Sequence, residues 1–208
     1  MPARDTASLR ALHTSPGAPP IDIYVDGTLL ITSLAYGQLS GYVEVPTGRH
    51  RVQAFPAAAH DQVSPLIDQR LEELEPGEEN TLVAVGEPQD VRFLPLHDNT
   101  PVPERTQAKV RFVHASPDAP AVDVSLTGNP LLFRQVGFER ATPFVVVDSG
   151  TVTLELRSVN TGETILTFPD YPLVGGRIYT FVALGLGRDV PPLTILPMVA
   201  AIKRCVPA

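Results

Sequence analysis

The chain has 208 residues, 43% hydrophobic and 19% charged, a balance that excludes a disordered segment. Its net charge of −7 argues against nucleic-acid phosphates as partner, because these call for a cationic surface, and no apolar run approaches the roughly 18 to 20 residues of a membrane helix. The 22 prolines and 15 glycines exclude long helices and fall between short runs of Val, Leu, Ile, Phe and Thr, the pattern of an all-β protein.

In chain order, the first half predicts strands near 8–13, 20–25, 28–33, 40–45, 49–55, 80–86 and 90–96. Alternation sets Ile21 and Ile23 on one face and Asp22 on the other, and divides Val43 and Val45 from Tyr42 and Glu44. The acidic run LEELEPGEEN, 71–80, reads as a helical turn or a solvated loop. A polar, proline-bearing linker is expected at 98–108, followed by strands near 109–114, 121–126, 131–134, 143–147, 151–158, 178–184 and 193–199. The opening MPARDTASLRALHTS has neither the basic nor the apolar stretch of a secretory signal. The single cysteine, Cys205, excludes an internal disulfide and a cysteine-based metal site.

The two strand sets are copies of each other. LRALHTSPGAPPIDIYVDG, from Leu9, lies over VRFVHASPDAPAVDVSLTG, from Val110, at a constant offset of 101, pairing Arg10 with Arg111, His13 with His114 and Asp22 with Asp123. Beyond the glycine the offset becomes 102 and pairs Tyr36 with Phe138, Tyr42 with Phe144 and Gly48 with Gly150. A repeat of about a hundred residues is too long for a solenoid unit and reads as two tandem domains. These are expected at 1–97, with a short N-terminal arm, and at 109–208, with a C-terminal tail. Seven or so short strands in each copy predict tandem immunoglobulin-like antiparallel β-sandwiches. In VPTG and VDSG the glycine is expected to take the positive-φ position of a tight turn.

The repeated polar motif, His13, Ser15, Pro16 and Asp22 matched by His114, Ser116, Pro117 and Asp123, allows several readings. As a base-activated nucleophile it lacks the strained elbow and glycine-rich oxyanion turn of a hydrolase. As a metal site it offers one histidine per copy, since His50, His60 and His97 have no counterparts. The reading that employs every residue is structural. The Ser-Pro pairs shape a corner between strands, and the histidine pairs with the aspartate to tie the first strand to the second. Tyr24, Tyr36, Tyr42, Phe55, Phe112, Phe133, Phe138 and Phe144 read as core, and the absence of tryptophan weakens a carbohydrate-binding platform. No cofactor is expected.

The motifs HTSPGAPPIDIYVDG and HASPDAPAVDVSLTG, each followed by LAYG or VGF and an aromatic strand, resemble the bacterial domain-of-unknown-function family numbered 4397. The resemblance covers 8–97 and 109–199. It implies extracytoplasmic or surface-associated β-sandwich modules, often in tandem, without an established activity. The expected role is therefore a non-enzymatic structural or adhesive protein that is extracellular, spore-associated or at the cell surface, and that associates with itself or with other surface proteins. A carbohydrate- or protein-binding module is the alternative, and a metal-dependent or serine hydrolase a lesser one. Charge suggests how copies could meet: 1–104 carries −9 and 105–208 carries +2, and unlike ends favour head-to-tail contact.

Overall fold

A computed structural model describes residues 5–59, 63–127 and 129–200; Cys205, His60, Gly128 and the outermost parts of both terminal segments lie outside the described residues. Among the described residues there are 17 strands and no helix, so none that could cross a membrane. The chain divides into two compact units, Met1–Asn99 with Ala115–Pro117 and Asp189–Pro191, and Thr100–His114 with Asp118–Arg188 and Pro192–Ala208.

The first unit contains β1 (Thr6–His13), β2 (Ile21–Val25), β3 (Thr28–Leu34), β4 (Val43–Pro46), β5 (Arg51–Pro56), β6 (Ile67–Arg70), β7 (Glu79–Val85) and β8 (Arg92–His97). They form two sheets, β4-β1-β7-β8 and β3-β2-β5-β6. Period-two alternation points Ala7, Leu9 and Ala11 of β1, and Leu82 and Ala84 of β7, at Ile21, Ile23 and Val25 of β2, and these join one buried cluster between the sheets. This is the all-β sandwich expected. Its strand order has a character of its own: β1 lies inside its sheet, antiparallel to β4 and parallel to β7. Consecutive β1 and β2 therefore fall in opposite sheets, whereas the first two strands of an immunoglobulin constant domain lie side by side in one.

The second unit repeats the plan with β9 (Gln107–His114), β10 (Val122–Leu126), β11 (Asn129–Val136), β12 (Arg140–Ala141), β13 (Val145–Asp148), β14 (Gly150–Ser158), β15 (Thr164–Leu173), β16 (Ile178–Leu184) and β17 (Thr194–Val199). Its sheets are β12-β9-β16-β17, with β13 also on β9, and β11-β10-β14-β15. A second cluster, including Phe112, Val124, Leu156 and Phe181, fills the space between them.

Three strands are absent from the sequence prediction. β6 is the four-residue IDQR, β12 has two residues, and β15 carries Pro169 and Pro172, features that weaken a strand signal and place all three at sheet edges. The acidic stretch 71–80 contains a turn at Glu75–Glu78 with Gly77 at φ +77°, and no helix. Gly48 and Gly150 both take positive φ, as the VPTG and VDSG turns require. The segment between the copies is engaged at both ends. Asp98 donates its N–H to Glu79 O at 2.8 Å, while Gly176 donates to Glu104 O at 3.1 Å and Lys109 Nζ to Thr100 Oγ1 at 2.9 Å.

The edges share a property relevant to assembly. β4, β8, β15 and β17 each contain proline, β6 and β13 have four residues each, and β3 and β11 are bulged against their neighbours. Proline, shortness and bulges are the devices that stop an edge from recruiting a foreign strand.

Candidate functional site

The motif forms the crossing from one sheet to the other. His13 ends β1 and is fully buried, and the next three residues, Thr14, Ser15 and Pro16, are buried too. Thr14 anchors the crossing to β7, its N–H and Oγ1 both donating to Ala84 O at 2.9 and 2.7 Å. The His13 Nε2–H donates to Pro19 O at 3.1 Å across the loop, and Nδ1 accepts the Ser15 N–H at 3.3 Å. This fixes the neutral tautomer. The second copy has the same clasp, His114 Nε2–H to Pro120 O at 3.0 Å. Each ring also meets an aromatic edge-on at 6.4 Å, Tyr36 in one copy and Phe138 in the other.

The aspartate does a different job. Asp22 Oδ1 accepts the Ser33 N–H at 2.7 Å and Oδ2 the Ala58 N–H at 2.9 Å. Ser33 and Ala58 both have left-handed backbones, φ +48° and +60°, which residues other than glycine adopt at a cost. Ser33 is the extra residue of a β-bulge, because Ile21 faces Leu34 while Ile23 faces Ile31. In the second copy Asp123 Oδ1 accepts the Gln135 N–H at 2.8 Å, Gln135 has φ +51°, and the same register shift recurs.

The expected histidine–aspartate pair is therefore corrected. Both nitrogens of His13 and both oxygens of Asp22 have backbone partners, so the histidine shapes the crossing and the aspartate holds the bulge. In the first copy the motif forms no serine–histidine relay: the Ser15 hydroxyl is fully buried without a hydrogen-bond partner, and a nucleophile requires its base within bonding reach. Pro16 is buried and Pro117 half-buried on the loop surface of the crossing, and Ser116 is fully buried. Among the described residues no three His, Cys, Asp or Glu side chains converge as metal ligands. The aromatics divide: Phe55, Phe112 and Phe133 are core, whereas Tyr24, Tyr36, Tyr42, Phe138 and Phe144 are half-buried.

Burial holds the pKa of both His13 and His114 below the ordinary 6.5, the bond to the Pro19 or Pro120 carbonyl opposing this in part. Since the unfolded chain takes up protons near pH 6.5 that the folded chain refuses, stability is expected to be level above that pH and to fall as the medium becomes more acid. The slope reaches at most about 1.4 kcal/mol per pH unit for each histidine. Urea unfolding at pH 7.5, 6.5 and 5.5 checks this. Glutamine at both positions keeps an N–H for the carbonyl without titrating and is expected to flatten the profile; an unchanged slope would assign it to other groups.

A second polar cluster escaped the motif reading. Arg10 Nε donates to Thr81 Oγ1 at 2.8 Å and its Nη2 to Asp98 Oδ2 at 3.3 Å, while Tyr42 Oη donates to the same carboxylate oxygen at 2.7 Å. The guanidinium also lies 4.5 Å from the centre of the Tyr42 ring. Burial, then the Asp98 charge and its hydrogen bond, push the Tyr42 hydroxyl far above its ordinary pKa. In the second unit Arg111 Nε keeps the bond to Thr180 Oγ1 and lies 4.5 Å over Phe144. In the alignment, the pairing of Arg10 with Arg111 and of Tyr42 with Phe144 hinted at this cluster. An open cleft of about 700 Å³ lies elsewhere, beside Asp26, His50 and Arg70, where a hydrogen bond from His50 Nδ1–H at 2.7 Å lowers the Asp26 pKa.

The sequence model of the family described as Domain of unknown function (DUF4397) matches residues 7–125. No curated protein sequence matches the chain. Among solved structures, 88% of the chain aligns with 34% of the Bacillus anthracis TIE protein at 11% identity and a TM-score of 0.27, so the chain spans about a third of that protein. A cell adhesion protein candidate from Bacteroides uniformis aligns over 94% of this chain and 98% of its own, at 9% identity and a TM-score of 0.29. A similar candidate from Bacteroides ovatus gives 93%, 96%, 11% and 0.27. At these scores the likenesses define neither fold nor function.

Proposed function

Since the chain belongs to the family described as Domain of unknown function (DUF4397), we propose that it is a non-enzymatic structural or adhesive module, two sandwich domains at 1–97 and 109–208, working at a cell surface, on a spore or in an extracellular assembly. One observation carries the non-enzymatic part. In both copies the chemically suggestive residues are engaged with backbone, His13 and His114 with proline carbonyls and Asp22 and Asp123 with left-handed N–H groups. A duplicated motif whose polar atoms shape the chain in both places behaves as a fold determinant. The surface location follows the family resemblance.

Partners of such a module are further copies of itself or other surface proteins. The blocked edges disfavour strand addition, so association proceeds through side-chain surfaces, with charge as its main lever. The −9 and +2 halves lead to head-to-tail contact between copies. Light scattering across protein concentration at about 20 and 500 mM salt tests this, because the Debye length shrinks severalfold over that range. Association at low salt that dissolves at high salt is expected; a strict monomer throughout refutes self-assembly and leaves heterologous adhesion.

A further inference from the structure

The first unit has a cavity where the second has a packed aromatic cluster. In the second unit Phe168, Tyr171, Tyr179 and Phe181 interlock, Tyr171 meeting its neighbours at centroid distances of 5.6, 5.8 and 5.3 Å. The Tyr179 hydroxyl accepts the Val174 N–H at 2.8 Å. Strand register identifies the matching positions in the first unit. Leu9 faces Asn80 as Val110 faces Tyr179, and Ala11 faces Leu82 as Phe112 faces Phe181. Likewise Val52 faces Gln69 as Leu154 faces Phe168. Leu71, whose N–H bonds His50 O, takes the place of Tyr171 opposite Val152.

Four aromatic positions thus carry Gln69, Leu71, Asn80 and Leu82, and these four line a cavity of about 200 Å³, with Leu74 and Pro95 also on its wall. That volume suits one six-membered ring, since a 150 Å³ apolar cavity is known to admit benzene. The exposed Arg70, Glu72, Glu73 and His97 also line it, and its buried polar feature is Asn80. The residue is 2% exposed, shares the inward-facing parity of Leu82 and Ala84 on β7, and its Nδ2 has no hydrogen-bond partner. Gln69 is not available in the same way, its amide donating to Phe93 O at 3.1 Å and accepting the Phe93 N–H at 3.2 Å. The clasp holds β6 to β8 beside the cavity, where the second unit uses Phe168. A buried donor left unmet in the wall of a cavity is how a small-molecule site fixes the orientation of its ligand.

We propose that this cavity binds a small phenol-like molecule, whose ring takes the room that tyrosine side chains fill in the second unit and whose oxygen accepts the Asn80 Nδ2–H. The two repeats then differ in role: one keeps the aromatic layer within its own sequence, the other receives it as a ligand.

Calorimetric titration of the full chain with p-cresol and with toluene tests the site. Saturable 1:1 binding of p-cresol is expected, with toluene weaker by about tenfold for the missing hydrogen bond. Asn80→Leu keeps much of the cavity and is expected to remove that preference. Asn80→Tyr restores the second unit's residue and is expected to weaken p-cresol binding more than about tenfold while leaving the melting temperature equal or higher. If that variant fails to fold, Leu82→Phe reduces the same space and is expected to weaken binding likewise. Absence of saturable binding to the unaltered chain, or binding undiminished in the folded filling variants, overturns the proposal and assigns the cavity to water.

Discussion

Asp98→Ala is expected to destabilise the first unit by about 3 to 5 kcal/mol, the range for removing one member of a buried ion pair. The side chains of Arg10 and Asp98 are 7% and 2% exposed, so solvent cannot replace the lost partner. The carboxylate is also shared: its Oδ2 receives the Arg10 guanidinium, the Tyr42 hydroxyl and the Thr81 hydroxyl. Its removal takes the carboxylate from a buried cation that the Thr81 hydroxyl and the Tyr42 ring meet without a countercharge. Replacing the ionic set together, with Arg10→Met, Tyr42→Phe and Asp98→Leu, is expected to recover most of the loss, because well-packed apolar groups commonly match a buried ion pair in stability. The second unit already takes part of this route. Phe144 stands under Arg111, and Ala200, whose N–H bonds Ile178 O as that of Asp98 bonds Glu79 O, stands where the aspartate would be. Chemical unfolding followed by circular dichroism gives the comparison. A single-mutant loss below about 1 kcal/mol, the level of an exposed pair, would falsify this account of the cluster.

Asp22→Ala follows with an expected loss of about 3 kcal/mol, and Asp123→Ala with about half of that, taking about 1.5 kcal/mol for each bond to a charged acceptor. The factor of two is the informative part. Asp22 receives N–H groups from two left-handed residues and Asp123 from one, while both bulges keep the same register. Adding Ser33→Gly to Asp22→Ala is expected to restore part of the loss, because glycine adopts positive φ without steric penalty; the same glycine in the unaltered chain gains little. Equal losses at Asp22 and Asp123, or no rescue by glycine, would show that the carboxylate acts through something other than the bulge.

Where the sequence was legible, the reason was periodic. Strands such as β2, β5 and β7 alternate or run apolar, and copying them at a fixed offset doubled the signal, so the sandwich and its repetition could be read directly. The bulge was legible in principle, since Ile31 and Leu34, like Phe133 and Val136, are buried at a spacing of three, which breaks a period of two. It went unread because neither Ser33 nor Gln135 is the glycine that marks positive φ. Asp98 was harder to place, because a polar residue beside prolines reads as linker, and only the pairing of β7 with β8 puts it within reach of Arg10. The cavity could not be read at all from one copy. Asn80 in a strand looks like a solvent-facing residue until the register sets it at the position that Tyr179 holds in the second repeat.

The aspartate that holds each bulge has an evolutionary consequence. A left-handed position ordinarily fixes its residue as glycine, but here the backbone is held from the neighbouring strand, and the bulge carries serine in one copy and glutamine in the other, both exposed. The constraint has moved from the surface residue to a buried one. Each repeat therefore presents, at one fixed point of its outer face, a side chain that is free to diversify without loss of the fold.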